Sequence, residues 1–97
     1  MKYSDIISAE PVVLVEFFAT WCPHCQRMMP VVEQIKTLLE GRVPVYQFDI
    51  DKNEDSAGDA GVESVPTFII YKDGKPAWRH SGEIDGEVFL SKVESYL

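Results

Sequence analysis

The feature that most limits the folds open to this chain is an almost unbroken apolar run over residues 12–19, rich in β-branched and aromatic side chains. Such a run is typical of a strand that is covered on both faces, as in a sheet with helices packed on each side. Shortly after it, the sequence reads Cys22-Pro23-His24-Cys25. The sequence therefore predicts a buried central strand that leads straight into a closely spaced cysteine pair.

A helix is predicted to begin at the cysteine motif and to end before Gly41. Apolar residues recur there every three or four positions, which indicates one face turned towards a core. These residues are Met28, Met29, Val32, Ile35 and Leu39. Pro30 falls inside the helix, and we expect a kink there because proline removes one backbone hydrogen bond.

The remainder of the chain completes an α/β domain. Residues 43–49 predict a second strand, parallel to the first because a helix separates them, and residues 55–60 predict a short helix. Residues 67–71 and 77–80 flank an Asp-Gly turn, which indicates a hairpin. Asp85 is expected to cap a last helix. Its apolar residues are Val88, Phe89, Leu90, Val93, Tyr96 and Leu97. These elements predict a mixed four-stranded sheet with helices on both faces.

Length and charge narrow the possible partners. At 97 residues with no break in composition, we expect one domain over residues 1–97. The formal net charge of −7 disfavours nucleic acid and anionic membranes as partners. The N-terminus lacks the apolar stretch of a signal peptide, and no segment approaches the length of a membrane span. We therefore expect a cytoplasmic protein, and we expect it to be a monomer.

The two cysteines indicate a reactive site rather than a structural disulfide. A bridge between Cys22 and Cys25 would close almost no loop and would therefore stabilise the fold very little. At a helix N-terminus, free N–H groups and the helix dipole favour a thiolate. We expect Cys22 to be the nucleophile and a buried Cys25 to resolve the mixed disulfide. Pro23 suits the first helical turn, where its missing N–H is not needed.

Two further residues are expected to assist the cysteines. A partly protonated His24 close to Cys22 would stabilise the thiolate and make the disulfide a stronger oxidant, unless it is merely a solvated side chain. Glu16, on the central strand beneath the motif, is expected to be desolvated, with a raised pKa, and to accept the Cys25 proton. The alternative is that its longer stem carries the carboxyl group to solvent.

Residues 17–25 resemble the active-site region of the thioredoxin family, and the resemblance continues to the C-terminus. It extends to Pro30, to Val65-Pro66-Thr67 and to Lys72-Asp73-Gly74 with Gly82. The segment before residue 12 is too short for the first strand of typical thioredoxins. The resemblance implies a thioredoxin-like three-layer fold, no bound cofactor, and a redox-active disulfide between Cys22 and Cys25.

The resemblance also implies a substrate-binding surface. Pro66 is expected to follow a cis peptide bond that presents the backbone of Val65 to an extended substrate segment, with Thr67 beside it. Trp21 is expected to form an exposed apolar rim next to the cysteines.

The sequence departs from the family pattern at three places. Pro23-His24 stands where most thioredoxins have Gly-Pro, and Pro-His is the pairing of DsbA-type oxidants, so we expect a couple more oxidising than ordinary thioredoxin. Glu16 stands where the family usually has a buried Asp, and Gln47 where many members have a Lys.

The function implied by the resemblance is reduction of disulfide-containing proteins, with a thioredoxin reductase as electron donor. A dithiol oxidant or isomerase and a glutaredoxin-like thiol transferase are alternatives on the same fold. A third alternative is a metal-binding or redox-silent interaction module that uses Cys22, His24 and Cys25 as ligands. His80 is the only distant candidate for its fourth ligand.

Overall fold

The structure is a computed structural model that describes residues 2–97; Met1, the first residue of the predicted domain, lies outside the described residues. Four helices and four strands follow one another along the chain. They are α1 (Tyr3–Ile7), β1 (Val12–Phe18), α2 (Pro23–Leu39), β2 (Val45–Asp49), α3 (Glu54–Asp59), β3 (Thr67–Lys72), β4 (Lys75–Ser81) and α4 (Gly86–Glu94).

The strands form one mixed sheet in the order β2-β1-β3-β4. Strand β1 runs parallel to β2 and antiparallel to β3, and β3 pairs antiparallel with β4. All but the last residue of β1 are buried, as expected of a strand with neighbours on both sides and helices on both faces. The predicted mixed four-stranded sheet is confirmed.

Alternate residues of β1 belong to two separate cores. Val12 and Leu14 pack with buried residues of α2 and α4, whereas Val13, Val15 and Phe17 pack on the opposite face with residues of α1 and the chain around α3. Burial of each such side chain contributes roughly 1.5–3 kcal/mol to folding. The result is the predicted three-layer arrangement, with a helical layer on each side of the sheet.

The β3–β4 hairpin turns at Asp73 and Gly74, whose φ angles are 52° and 80°. Two consecutive left-handed residues are what a tight two-residue hairpin turn requires, and Asp-Gly is a favoured pair for it. Asp85 caps α4, accepting hydrogen bonds from the N–H groups of Glu87 and Val88 at 3.1 and 3.2 Å. The hairpin and the cap are therefore confirmed.

Three apolar residues that the sequence assigned to buried helix faces are exposed instead. Met29 is 61% exposed, and Val88 and Leu97 are also exposed. Neighbouring residues of a helix point about 100° apart, so burial of Met28 against the sheet turns Met29 to solvent. Strand β2 also begins later than predicted, at Val45. Val43 is buried, but it lies before the strand.

Helix α2 is continuous from Pro23 to Leu39, with Pro30 inside it. Within residues 2–97, no helix has both the length and the hydropathy that crossing a bilayer requires.

Candidate active site

The two cysteines lie at the start of α2, directly beyond the end of the central strand. Cys22 is the N-cap residue, and its Sγ accepts a hydrogen bond from the backbone N–H of Cys25 at 3.2 Å. Pro23 occupies the first turn, where a proline costs no hydrogen bond. Both thiols are free and buried, so the site is described in its dithiol form. A negative charge on Cys22 therefore meets the N-terminal end of a 17-residue helix.

Cys25 differs from Cys22 in its electrostatic environment. Burial raises the pKa of the Cys25 thiol, and its hydrogen bond with Cys22 raises it further, while a backbone hydrogen bond with Ala19 acts in the opposite direction. The negative charge of Glu16 also contributes to raising it. Cys25 therefore keeps its proton while Cys22 occupies the position that stabilises an anion.

The loop before β3 lies across from Cys22. The Val65-Pro66 peptide bond is cis, and the Cys22 thiol donates to the Val65 carbonyl at 3.6 Å between Sγ and O. The N–H of Gly82 binds the Pro66 carbonyl at 2.8 Å, which ties this loop to the end of β4. The backbone of Val65 is thereby fixed beside the Cys22 sulfur, as the family resemblance implied.

Glu16 is buried beneath the motif, with 4% of its surface exposed. It shares the face of β1 that carries Leu14, so its side chain belongs to the layer between β1 and α2. Gln47, its register partner on β2, donates from Nε2 to Glu16 Oε1 at 3.0 Å. Burial raises the pKa of Glu16, and the hydrogen bond from Gln47 opposes part of that rise. The predicted desolvation of Glu16 is confirmed.

His24 points to the loop between β4 and α4 rather than to Cys22. Its Nδ1 lies 2.7 Å from Glu83 Oε2 and 2.8 Å from an Nη2 of Arg27, and Arg27 Nε donates to the same Glu83 oxygen at 2.9 Å. These hydrogen bonds, first with His24 and then with Arg27, lower the pKa of Glu83. His24 Nδ1 thus binds Glu83 and Arg27, and the hydrogen bonds within residues 2–97 include none between His24 and Cys22.

A single imidazole nitrogen cannot serve both partners at once. With a proton on Nδ1, His24 donates to Glu83; with a bare Nδ1, it accepts from Arg27. The Glu83 carboxylate also offsets the positive charge of Arg27.

A groove of about 390 Å³ opens beside Cys22. Trp21, 63% exposed, and Val65 are among its lining residues, and Trp21 Nε1 donates to Asp51 Oδ2 at 2.9 Å. Trp21 thus forms the exposed rim that the sequence predicted. Thr67 does not reach the groove with its side chain: it is buried, and its Oγ1 bonds to the Ser64 carbonyl and the Ser81 hydroxyl.

The metal-binding alternative finds no ligand set in residues 2–97, where no group of three or more His, Cys, Asp or Glu side chains could hold an ion. His80 instead stacks on Trp78 and contacts the Glu83 carbonyl through Nε2 at 3.1 Å.

Three residues of the site were not predicted from the sequence: Glu83, Arg27 and Asp51. Arg27 follows His24 by three positions on one helix face, a spacing that indicates contact. Glu83 lies 59 residues beyond His24 and Asp51 lies 30 residues beyond Trp21, so no local pattern relates them.

A dithiol at a helix N-terminus, facing a cis-proline loop on this sheet, defines the class of thiol–disulfide oxidoreductases with a thioredoxin-like fold. The Thioredoxin family model matches residues 1–95. The chain belongs to the thioredoxin family, whose members are protein-disulfide oxidoreductases that need no bound cofactor.

Individual relatives agree with this assignment. The chain is 36% identical over 93 residues to a thioredoxin of Synechocystis, covering 96% of this chain and 87% of that protein. It is 37% identical over 89 residues to chloroplastic thioredoxin Y of rice, covering 92% of this chain but 53% of the rice protein. The chain thus spans about half the length of its chloroplastic relatives from rice and Arabidopsis.

Among solved structures, a mutant thioredoxin from Halobacterium salinarum superposes with a TM-score of 0.83 at 37% identity, covering 96% of this chain and 80% of that one. The oxidised thioredoxin from Plasmodium falciparum gives the same TM-score at 28% identity, covering 97% and 88% of the two chains.

Proposed function

We propose that the protein is a protein-disulfide reductase. The Cys22 thiolate attacks a substrate disulfide, forming a Cys22–substrate disulfide and releasing one substrate thiolate, which takes up a proton. The Cys25 thiol loses its proton and attacks Cys22, forming the Cys22–Cys25 disulfide and releasing the second substrate thiolate. Two electrons pass from the dithiol to the substrate, and no other reductant is needed for one turnover.

The observation that carries this proposal is the 3.2 Å hydrogen bond from the Cys25 N–H to Cys22 Sγ. This hydrogen bond supports Cys22, at the N-terminal end of α2, as the attacking sulfur, and Cys25, one turn further along the helix, as the resolving sulfur. Val65 supplies the backbone groups with which an extended substrate segment pairs as a short added strand.

We infer that Glu16 accepts the Cys25 proton, directly or through a water molecule. Burial raises the pKa of the Glu16 carboxyl group, which makes its carboxylate a stronger base for the Cys25 proton than an exposed carboxylate would be. The Gln47 amide keeps the Glu16 carboxyl group oriented within the layer between β1 and α2.

We also propose a couple more oxidising than ordinary thioredoxin, supported by the Pro23-His24 dipeptide and by the position of Cys22 at the N-terminal end of α2. Potentials of the fold run from about −270 mV for thioredoxin to about −120 mV for DsbA. Equilibration with glutathione tests the proposal, and a potential at or below about −270 mV would contradict it. A potential near that of DsbA would favour the second candidate, a dithiol oxidant, for which the Pro23-His24 dipeptide argues.

The activity itself is tested by reduction of insulin with NADPH and a thioredoxin reductase, the proposed electron donor. We expect turnover that is lost in the Cys22→Ser variant. If glutathione recycles the protein and thioredoxin reductase does not, the electron donor in this proposal is wrong. If neither system supports insulin reduction, the reductase activity is wrong.

A further inference from the structure

The groove beside Cys22 combines an apolar floor with an acidic edge. Partly buried Ile50, Ala57 and Val62 line it together with Val65, and its volume of about 390 Å³ is enough for one or two substrate side chains. Glu63 is exposed and lines the same groove. A substrate segment that pairs with Val65 therefore places neighbouring side chains close to a carboxylate.

The carboxylates at this edge are available to a substrate. The ion pairs within residues 2–97 do not include Glu63. Asp51 is tied to the groove wall because Trp21 Nε1 donates to its Oδ2. One donor leaves an ionised carboxylate with further acceptor sites, so Asp51 can still bind a cation.

Positive charges near the motif do not offset this edge. Arg27 is paired with Glu83 at 2.9 Å, in the loop after β4. Lys2 and Lys52 line an adjoining cavity, where four carboxylates outnumber them; these are Asp51, Glu54, Asp55 and Asp59. The formal net charge of −7 over the chain acts on a charged substrate in the same direction as these carboxylates.

We propose that this groove selects disulfides in which a Lys or Arg lies within two residues of the cysteine that Cys22 attacks. This inference rests on the proposed reductase function and adds a substrate class to it. A basic side chain gains attraction to Glu63 and Asp51 while its aliphatic stem covers the apolar floor. An acidic side chain at the same position is repelled.

The test uses two peptides with an internal disulfide that are identical except for Lys or Glu beside the first cysteine. Reduced protein is mixed with each peptide, the reaction is quenched with acid, and the second-order rate constant is obtained from the separated products. At an ionic strength of about 20 mM we expect the Lys peptide to react about five-fold faster. At about 0.5 M salt the ratio should approach one.

Two conservative variants locate the effect. Glu63→Gln and Asp51→Asn each remove one charge while keeping an acceptor, and each should lower the ratio by about half. Glu33→Gln is the matched control, because Glu33 lies on α2 beside a cavity that shares no lining residue with the groove. Its ratio should equal that of the unmodified protein.

The outcomes distinguish a failure of the proposed selectivity from a failure of the proposed reductase function. Equal rates for both peptides, or equal ratios in Glu63→Gln and Glu33→Gln, overturn the proposed selectivity and leave the reductase intact. If neither peptide is reduced while the dithiol form is intact, the reductase function fails and the selectivity with it.

Discussion

His24 Nδ1 lies 2.7 Å from Glu83 Oε2, so one of the two residues between the cysteines is bound to a carboxylate 59 positions later in the chain. The contact joins the first turn of α2 to the loop between β4 and α4. That loop is fixed on either side of the contact, since Gly82 N–H binds the Pro66 carbonyl and the Glu83 carbonyl contacts His80. The charge near Cys22 is therefore set by Glu83 as well as by the Cys-Pro-His-Cys motif.

The first prediction concerns the redox effect of that carboxylate. At about pH 8.5, where imidazoles are neutral, Glu83→Ala leaves Arg27 without its partner and adds a net positive charge near the Cys22 thiolate. We expect the equilibrium constant for oxidation of the dithiol by glutathione disulfide to fall about three-fold, corresponding to a more oxidising couple. Quantifying oxidised and reduced protein at defined glutathione ratios measures it.

Glu94→Ala is the control for this prediction, because Glu94 forms a comparable exposed pair with Arg42 at 3.1 Å. It should leave the equilibrium constant unchanged. Equal shifts in the two variants would mean that only the overall charge of the protein matters.

Glu16→Gln tests the proton acceptor. The glutamine can still accept the hydrogen bond from Gln47, so the packing is retained while the carboxylate is lost. We expect the second step, attack by Cys25, to slow about 10²-fold, at the low end of what a positioned base contributes. Stopped-flow decay of the mixed disulfide between pH 6 and 8, a range of about two units around neutrality where such groups titrate, measures it. Unchanged rates across that range would remove Glu16 from the mechanism.

The same variant should alter the pH dependence of stability. Burial raises the folded-state pKa of Glu16 above its ordinary value of 4.5, so the folded protein binds this proton more tightly than the unfolded chain does. The free energy of unfolding therefore loses a contribution as pH rises from about 4.5 through the raised pKa. The Glu16→Gln variant has no carboxyl group at this position, so its free energy of unfolding should not show this loss.

Urea unfolding at a series of pH values measures the difference. The variant and the unmodified protein should be equally stable below the ordinary carboxyl pKa, and the variant should be more stable at neutral pH. A difference that does not change with pH would show that Glu16 ionises alike in the folded and unfolded states.

A fourth prediction concerns the hydroxyl pair beneath α1. Tyr3 and Tyr71 are both buried, and their oxygens lie 2.7 Å apart. Tyr71→Phe removes one partner and leaves the Tyr3 hydroxyl unpaired, at a cost of about 1–3 kcal/mol of unfolding free energy. The double variant with Tyr3→Phe removes both hydroxyls, so it should recover part of the loss in a urea titration. A double variant that loses the sum of both single effects would contradict this pairing.

The sequence was sufficient for features whose signal is local. The apolar run of β1, the helix that begins at the cysteines and the Asp73-Gly74 turn each depend on neighbouring residues. Burial of Glu16 also followed, because alternation along β1 places it on the same face as Leu14.

Long-range contacts were not predictable in this way. The partner of His24 depends on where the loop after β4 ends, and that position is set by packing of the whole sheet. The exposure of Met29 was not predictable either, since an apolar residue beside Met28 fits a helical pattern whether or not it faces the core. The pattern along one helix or strand predicts that a face is apolar, but it does not predict how much of that face other elements cover.

The assignment of Cys22 as nucleophile and Cys25 as resolving thiol is tested most directly by trapping the mixed disulfide. Cys25→Ser and Cys22→Ser variants are each incubated with a disulfide peptide, and the adducts are identified by mass spectrometry. We predict a stable Cys22–peptide disulfide in the Cys25→Ser protein and almost none in the Cys22→Ser protein. Equal adducts in the two variants, or an adduct on Cys25 alone, would contradict the assignment.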